Sequence, residues 1–473
     1  MKLRIKTLVA IIAIFAFITS FAYAYIKYLE LKEVYEKQFS GLYLYVGESI
    51  ILGTDLSRSF TDNLRYYILV RPPIYPAWQN PPPPGKRMGI NNITFIPLDE
   101  NTLITAITNK SVDGVLFMNP YYITLCIREN VLLSFQNESL LNEVPHFFRD
   151  PEGKWVTIAF RVYGLIINNE TASEREIPRI SSIRDLYEIF LNNPSLYSRK
   201  TIIISDPRIN PSIWNIMLRI LEVHGWSEGW KILIFLVGVS DITNSIPDAY
   251  SKVALGLYAV TFGSNDQGYS AYVLSGGSTD FLIINEALIE PLIIASTSTP
   301  SHSFVEKIAE WFLSDEGQKT LLDYSDYIPV KKVNTTNWKI NLLSQVENYI
   351  NTSIINYYIS DNILIHSNLI KIYYESLLEN TTYQYLKQIF NYLVRKNDTV
   401  LTSRIIEELV APIEVKDPFT GDKILFTYEY IKQLNQKLNK LTPKQTSEII
   451  EQLKIEIQKA LVERYNNILN ILK

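Results

Sequence analysis

The 473-residue sequence has few of the residue types that carry most metal and redox chemistry. It contains a single cysteine, Cys126, which excludes an internal disulfide framework and a cysteine-rich zinc site. Its four histidines, His146, His224, His302 and His366, lie far apart and show no HxxxH or HxH spacing. A G-x-x-x-x-G-K-[S/T] phosphate-binding loop is also missing. We therefore expect no metal site, no cofactor and no nucleotide hydrolysis in this chain.

The charges are nearly balanced, which removes a further class of function. Lys and Arg number 45 against 49 Asp and Glu, so the formal net charge is −4. This balance gives no general reason to expect nucleic-acid binding. Because 47% of the residues are apolar, the chain can bury a large core, and its length suits roughly two to four domains.

One long apolar run is present, at the amino terminus. Basic residues precede the uncharged stretch Thr7–Ile26, which as a helix would reach about 30 Å, the thickness of the hydrocarbon core of a bilayer. We therefore predict that residues 1–26 form a signal or membrane anchor. The basic flank stays inside, so the rest of the chain is expected at the outer face of the cytoplasmic membrane.

The fate of this leader is open in the sequence. Ala22 and Ala24 fit the small-x-small rule for signal cleavage, so a removable signal peptide is one alternative. The residues that follow contain no Gly or Pro as far as Phe39, so a retained anchor with a helical stalk over residues 27–40 is the other. Eight N-x-S/T sequons are consistent with an exported glycoprotein under either alternative.

Glycine and proline divide the exported part into two. Seventeen of the 18 glycines and 19 of the 22 prolines precede Lys331. The earlier part alternates short β-rich runs with capped amphipathic segments, which is typical of α/β folds with largely parallel strands. The later part indicates helices, interrupted by a hairpin or ordered loop between Ile413 and Phe426. These helices are expected to pack on each other and on the α/β part, with partner binding as the alternative.

Within the α/β part, individual patterns predict individual elements. Gly41–Gly47 and Gly114–Met118 are predicted strands, and Trp155–Asn168 is a strand long enough to cross between two lobes. Asn210 is predicted as the N-cap of a helix. A polar turn is predicted at Gly263–Gly268.

Several motifs resemble one family. Asp206-Pro207 before a capped helix, and Trp226-x-x-x-Trp230 after it, are similar to the second lobe of the solute-binding proteins of ABC-type importers. Ser314-Asp-Glu-Gly-Gln318 and Tyr327-Ile-Pro-Val330 resemble the return of the chain to the first lobe. The resemblance covers roughly Leu42–Val330 and is closest to the subgroup that includes ferric-iron, thiamine and polyamine binders.

The resemblance implies a two-lobed α/β fold of the type II periplasmic-binding-protein kind, with hinge strands between the lobes. The N-terminal membrane helix would precede it and a mainly α-helical C-terminal extension would follow it. The first part of lobe 1, lobe 2, the return to lobe 1 and the helical extension are predicted at residues 41–165, 166–284, 285–335 and 336–473. The chain would then bind a small-molecule solute in the cleft and deliver it to the permease of an ABC importer, without catalysis of its own.

Candidate ligand contacts are polar residues in the strand-to-helix turns of both predicted lobes. Such turns present unpaired N–H groups and a positive helix terminus, which favour an anionic or strongly polar ligand. The candidates are Glu48, Ser49, Asn119 and Tyr121 from the first lobe, and Ser205, Asp206, Asn210, Ser212, Ser264, Asn265 and Asp266 from the second.

Two further residues, and several alternatives, belong to this prediction. Arg161 and Tyr163 lie in the predicted hinge strand, where they face either the cleft or the solvent. Simple helix capping is the alternative for Asn210 and Ser212, and packing is the alternative for Tyr121. Asp206, which precedes a proline, has the alternative of organising a turn.

The sequence favours an organic solute or an oxyanion over ferric iron. The resemblance implies that an iron binder would use neighbouring tyrosines from the second lobe. Tyr269 and Tyr272 are not adjacent, and the adjacent pairs Tyr66-Tyr67 and Tyr121-Tyr122 fall in the first lobe. A stacked organic or sugar ligand is equally compatible with the 12% aromatic content.

Two other classes stay open. An exported hydrolase would need an activated nucleophile, and His302-Ser303 is an adjacent His/Ser pair in the sequence. A cell-surface structural or adhesive glycoprotein would explain the sequons and the helical tail. A binding protein differs from both because a small solute should stabilise it without being turned over.

Overall fold

The computed structural model describes residues 48–70, 83–137, 141–142, 144–297, 300–333, 338–352 and 361–472. The predicted signal or anchor at 1–26, the stalk at 27–40 and the strand Gly41–Gly47 lie outside these residues. Over the ranges given, none of the helices combines the length and the apolar character that crossing a bilayer requires.

The strands and helices alternate in the first two thirds of the described chain, and helices dominate afterwards. The strands are β1 (Glu48–Thr54), β2 (Ile90–Pro97), β3 (Gly114–Phe117), β4 (Leu132–Leu133), β5 (Trp155–Asn168), β6 (Ile203–Ser205), β7 (Asp241–Thr243), β8 (Val260–Ser264), β9 (Thr279–Leu282), β10 (Leu288–Thr297), β11 (Ile328–Pro329), β12 (Glu414–Lys416) and β13 (Lys423–Leu425). The helices of the α/β part are α1 (Arg58–Leu69), α2 (Pro84–Met88), α3 (Glu100–Thr108), α4 (Pro120–Arg128), α5 (Asn169–Glu174), α6 (Ile183–Asn192), α7 (Pro211–Val239), α8 (Ile246–Ala254), α9 (Asn265–Leu274), α10 (His302–Leu313) and α11 (Asp315–Tyr324). The remaining helices are α12 (Trp338–Thr352), α13 (Asp361–Leu364), α14 (Ser367–Leu377), α15 (Asn380–Lys396), α16 (Thr399–Val410), α17 (Tyr428–Leu438) and α18 (Pro443–Leu472).

The described residues fall into two compact units. The smaller unit contains the described residues before Ile51 together with Ser59–Thr94, and the larger contains Ile51–Arg58 and everything from Phe95 onward. In the smaller unit, α1 buries one face of the helix and α2 ends at Gly89. Gly89 has a φ of 79°, the left-handed conformation that glycine adopts at helix ends without strain.

The main sheet is mixed, in keeping with an α/β fold. Its strand order is β11–β5–β10–β3–β1–β2, with β4 paired to β10 and with β8 and β9 paired to β5. β1 and β3 are parallel, as are β6 and β7 of a small second sheet. β10, however, is antiparallel to β3, β4 and β5, and β5 is antiparallel to β8, β9 and β11. The expectation of largely parallel strands is therefore wrong for the long strands β5 and β10, which run antiparallel to their neighbours.

The predicted strand Trp155–Asn168 has these same bounds in the structure, as β5. Its residues up to Tyr163 pair with β10, and its residues from Tyr163 onward pair with β8 and β9. Gly164 permits the second set of pairings, since a Cβ atom there would lie 2.2 Å from the carbonyl oxygen of Leu282. One strand thus runs through two regions of sheet, as the hinge prediction requires.

The Ser314–Gln318 motif has a structural explanation. Gly317 is so close to α10 that a Cβ atom would lie 2.0 Å from the carbonyl oxygen of Trp311. The fully buried side chain of Gln318 donates from Nε2 to the carbonyl oxygen of Ile158 at 2.7 Å and accepts from the backbone N–H of Lys331 at 3.1 Å. The motif therefore fastens α11 to β5 and to the segment after β11.

The predicted polar turn at Gly263–Gly268 is wrong. β8 continues to Ser264, and α9 begins at the next residue. The backbone N–H of Ser264 donates to Oε1 of Gln267 at 2.9 Å, which is half of a capping box. Ser264 and Gln267 therefore have the spacing of a helix start, and the polar residues between them form its first turn.

Other elements of the structure begin, break or pair at local sequence signals. Ser182 and Asp185 form the capping box of α6, and Gly225 interrupts α7 with a φ of 75°. β12 and β13 form the antiparallel hairpin expected between Ile413 and Phe426. These signals depend on residues close together in sequence, so they could be recognised without the tertiary structure.

The C-terminal extension packs on the α/β part. Lys387 of α15 donates to the carbonyl oxygen of Ser240 at 2.6 Å and to that of Gly238 at 3.1 Å. A Cβ atom at Gly238 would lie 2.3 Å from the ring of Phe390, so α15 and α7 are in close contact. The expected packing of the extension is thus confirmed over its described residues.

Candidate functional site

A cavity of about 360 Å³ lies entirely within the larger unit, where β1 and β3 end and where α4 and α7 begin. Part of β10 forms another side, and the wall is completed by apolar side chains. Its polar lining residues are Asp55, Asn119, Tyr122, Ser212, Asn215 and Glu290. The sequence pattern explains the position, because residues directly after a strand and at the start of a helix meet at the edge of a sheet.

Asp55 follows β1 and holds the start of α4. Its carboxylate accepts from the backbone N–H groups of Met118 and Asn119, each at 2.9 Å. Asn119 in turn accepts from the backbone N–H of Tyr121 at 3.1 Å, which makes it the N-cap of α4. Burial raises the pKa of Asp55, and the two backbone hydrogen bonds partly oppose that rise. The chain therefore supplies its own hydrogen-bond acceptor at this helix start.

Glu290 is the most strongly perturbed carboxyl group of the cavity. Its side chain is only 11% exposed, and its Oε2 lies 3.3 Å from the Tyr163 hydroxyl and 4.0 Å from Arg161. Burial raises the pKa of Glu290 to about 7, an effect that Arg161 opposes and that the nearby charge of Asp55 reinforces. Near neutral pH the carboxyl group therefore exchanges between its acid and its anion.

A single guanidinium group lies behind Glu290, among several acids. Arg161 is within 3.5 Å of Asp266 and 3.6 Å of Asp326, and its guanidinium carbon is 4.8 Å from the centre of the Tyr327 ring. Burial raises the pKa of Asp266, and Arg161 acts against that rise. Since Glu290 also approaches this guanidinium, three carboxyl groups lie within 4.0 Å of Arg161.

Tyr163 connects β5 to the second side of the cavity. Its hydroxyl oxygen lies 2.9 Å from Oγ of Ser212, in the first turn of α7. The same hydroxyl reaches Glu290 of β10. A change in the position of α7 relative to β10 would therefore alter at least one of the two contacts of the Tyr163 hydroxyl.

Several predicted residues come together at this place. Asn119 and Ser212 line the cavity. Tyr163 contacts Ser212 and Glu290, and Arg161 connects Glu290 to Asp266. Turn residues from both predicted lobes and the two predicted hinge residues therefore lie at or next to the same cavity.

Glu48 and Ser49 do not have the position predicted for them. Both are exposed and belong to the start of β1, so they do not lie in a strand-to-helix turn. The predicted strand before them lies outside the described residues. The strand ends only at Thr54, and the residue that follows it is Asp55. The apolar residues after Ser49 continue β1 to Thr54, so the turn that follows this strand lies further along the chain than predicted.

The loop before α7 is held together by contacts among its own residues, including Ser205, Asp206 and Asn210. Asn210 occupies the N-cap position of α7, but its amide donates to Oγ of Ser205 at 2.7 Å and to the carbonyl oxygen of Asp206 at 3.0 Å instead of capping. Asp206 forms an ion pair with Arg208 at 2.7 Å. These contacts favour the turn-organising alternative for Asp206 and do not place the three residues on the cavity wall.

Asn265 and Tyr121 also have structural partners. The buried side chain of Asn265 accepts from the backbone N–H of Val162 at 2.9 Å and donates to the carbonyl oxygen of Asp326 at 3.2 Å, so it fixes α9 to the hinge strand. Ser264, which is fully buried, ends β8. Tyr121 lies with its ring 6.1 Å from that of Tyr122, and it is Tyr122 that lines the cavity.

Sequence reasoning missed Asp55, Asn215, Tyr122 and Glu290. Signals for two of them were present: Asp55 directly follows an apolar strand, and Glu290 is an acid within an otherwise apolar run. Within the described ranges, no group of three or more His, Cys, Asp or Glu side chains is arranged to hold a metal ion. The cavity is therefore best described by its hydrogen-bonding groups.

Comparison with protein-family models and with curated proteins gives no match. Among solved structures, iron-bound HitA from Pseudomonas aeruginosa is 14% identical, and the match covers 63% of this chain and 97% of HitA with a TM-score of 0.45. A ferric binding protein from Campylobacter jejuni is 14% identical over 65% of this chain and 98% of that one, with a TM-score of 0.46. The substrate binding protein of an ABC transporter from Agrobacterium tumefaciens is 8% identical over 72% and 96%, with a TM-score of 0.49. They are proteins of the kind that the sequence motifs resemble.

Proposed function

We propose that the chain is an exported, membrane-tethered receptor that binds a small polar solute in this cavity and delivers it to an ABC-type importer. The observation that carries the proposal is the cavity itself. Asp55 and Asn119 reach it from one side, Ser212 and Asn215 reach it from another, and the buried Glu290 lies between them. A volume of about 360 Å³ suits a small molecule held by a few convergent polar groups.

In this proposal, residues 41–165 and 285–335 form one lobe, residues 166–284 form the other, and β5 and β10 are the hinge. A solute that contacts both sides would favour the closed arrangement, because only that arrangement offers it all of its partners at once. The bonds from Tyr163 to Ser212 and to Glu290 support this role, since they join the hinge strand to both cavity walls.

The lining favours a neutral or cationic solute that donates hydrogen bonds. An anion would meet Asp55, whose carboxylate already occupies the N–H groups at the start of α4, and it would meet Glu290 as well. An ammonium or hydroxyl donor would instead gain two buried acceptors. Of the polar and anionic solutes that the sequence allowed, we therefore favour the polar ones, with primary ammonium compounds first.

The membrane attachment in this proposal rests on the sequence of residues 1–26. The hydrolase alternative is less well supported, because Nδ1 of His302 lies 2.7 Å from Oγ of Ser296 and the ring stacks near Phe135, 6.4 Å between centroids. Neither His302 nor Ser296 lines the cavity. The adhesive alternative has no specific contact in its favour.

The experiment is a thermal-shift screen of the full chain against primary ammonium compounds, sugars, amino acids, oxyanions and metal cations. A solute that binds only the folded state should raise Tm in a concentration-dependent way. Glu290→Gln should weaken binding of an ammonium solute roughly tenfold or more, because a charge-assisted hydrogen bond is lost. The matched control is Glu188→Gln on the exposed face of α6, which should leave the shift unchanged. A screen in which every class fails to shift Tm would contradict the receptor.

A further inference from the structure

One wall of the cavity comes from the C-terminal extension. Leu364, the last residue of α13, lines it together with Asp55, Asn119, Ser212 and Glu290. Leu364 is half-buried, and the neighbouring Ile365 is 44% exposed. An apolar side chain from outside the α/β part therefore faces the polar groups that would hold the solute.

The short helix α13 touches both sides of the cavity. Its Cα atoms approach within 8 Å of those of α4 and of α7. α4 begins beside Asn119 and α7 begins beside Ser212, so these are the helices that deliver the polar residues of the two sides. A movement of α4 away from α7 would have to break one of the two contacts of α13.

The extension is fixed to the two sides at points away from the cavity. On the α7 side, Arg208 donates to the carbonyl oxygen of Leu378 at 3.3 Å, and the rings of Trp214 and Tyr374 are 5.5 Å apart. On the other side, the buried Lys339 of α12 donates to the carbonyl oxygen of Leu322, at the end of α11, at 2.7 Å. The chain is described without a gap from α13 through α14, so the contacts of Leu378 and Tyr374 on the α7 side also help to hold Leu364 in position.

We propose that the C-terminal extension forms the third wall of the solute cavity, with Leu364 limiting the size of the solute and α13 bridging α4 and α7. This inference rests on the proposed function for its ligand, but the bridge itself can be tested without one. Each methylene group that a solute buries against an enlarged wall should improve its affinity about fourfold.

The first test measures the bridge in the absence of solute. Spin labels are placed at Arg128→Cys on α4 and Glu188→Cys on α6, both exposed in the wild-type chain, while Cys126 is buried. Leu364→Asp should broaden and lengthen the distribution of distances between the labels, and the matched change Ile365→Asp should not. Should Leu364→Asp fail to fold, Leu364→Ala should give the same change with smaller amplitude. Indistinguishable distributions for wild type, Leu364→Ala and Ile365→Asp would overturn the bridge.

The second test measures size selection with unbranched primary ammonium ions, from ethylammonium to hexylammonium. Leu364→Ala should improve the affinity for hexylammonium relative to ethylammonium at least fourfold, and Ile365→Ala should leave their ratio unchanged. An unchanged ratio in Leu364→Ala would overturn the wall. If the wild-type chain binds none of these ions, the proposed solute class is wrong, whereas the label distances still decide whether α13 bridges the cavity.

Discussion

Two buried glutamates four residues apart mark two different regions of the chain. Glu286, just before β10, accepts from Nε2 of His224 at 2.6 Å, from the backbone N–H of Ile183 at 2.9 Å and from the hydroxyl of Ser182. Burial acts to raise the pKa of Glu286, but these bonds outweigh it and lower the pKa. Glu290, within β10, has a pKa raised to about 7.

The difference lies in the supply of hydrogen-bond donors. A carboxylate surrounded by donors is stable as an anion inside a protein, whereas one short of donors holds its proton. Glu286 thus joins α6, the kink of α7 and the start of β10 as a structural element. Glu290 lies near Tyr163 and other acids, and in the proposed function a solute would supply the hydrogen-bond donors that it lacks. If this comparison is correct, loss of the Glu286 carboxylate should mainly reduce the stability of the fold, and loss of the Glu290 carboxylate should mainly weaken solute binding.

The largest effect is expected for Glu286→Ala. The change leaves the buried donors of Ser182, Ile183 and His224 without their acceptor, which should lower the free energy of unfolding by roughly 3–5 kcal/mol. Urea denaturation at pH 7 measures it, with Glu188→Ala on the exposed face of α6 as the control, for which about 0.5 kcal/mol or less is expected. Equal losses in the two variants would remove the distinction between structural and surface carboxylates.

Glu290→Gln should change how the free energy of unfolding depends on pH. Because the folded-state pKa of Glu290 is raised from 4.5 to about 7, protonation stabilises the fold. That stabilisation is complete below the unfolded pKa and is lost as the pH rises through 7, a total of roughly 3 kcal/mol. The free energy of unfolding of the variant minus that of wild type should therefore be larger at pH 8 than at pH 5, measured by urea denaturation without solute. A difference independent of pH would contradict the raised pKa.

Asp55→Ala should have an intermediate effect, because it removes a hydrogen-bonded carboxylate that also faces the cavity. The backbone N–H groups of Met118 and Asn119 lose their acceptor, which should lower the free energy of unfolding by about 1–3 kcal/mol. Asp55→Asn retains one acceptor oxygen and should lose less. A variant as stable as wild type would show that Asp55 does not hold the start of α4.

The smallest effect on the free energy of unfolding is expected for Tyr163→Phe. This change tests the hydrogen bonding of Glu290 directly. Loss of the hydroxyl should lower the free energy of unfolding by about 1 kcal/mol. It should also raise the pKa of Glu290, since the hydrogen bond from Tyr163 acts to lower it. Carbon NMR of labelled glutamate measures that pKa, with Glu290→Gln identifying the signal. A lower pKa in Tyr163→Phe would mean that the hydroxyl does not donate to Glu290.

The parts of the fold that the sequence predicts are those coded by neighbouring residues. The long run of strand-forming residues in Trp155–Asn168 predicts β5, and Ser182 with Asp185 predicts the start of α6. The errors have equally local causes. The polar residues of Gly263–Gly268 favour a turn, but Gln267 completes a capping box with Ser264, and the segment starts a helix.

The site was predicted less well because its chemistry depends on distant residues. Asp55 acquires its role from Met118 and Asn119, more than 60 positions away. The contrast between Glu286 and Glu290 cannot be seen in the sequence, where both are acids in one apolar run. Leu364 could not have been assigned to the cavity either, since only the packing of the extension brings it there.

The most direct measurement is isothermal titration calorimetry of an ammonium solute from the screen, on wild type and Glu290→Gln, at pH 6 and pH 8. A group with a pKa of about 7 is mostly protonated at the first pH and mostly ionised at the second. The wild-type affinity should therefore be roughly tenfold higher at pH 8. Glu290→Gln should bind more weakly and without this pH dependence. Equal affinity of the two proteins at both pH values would contradict a solute held by Glu290.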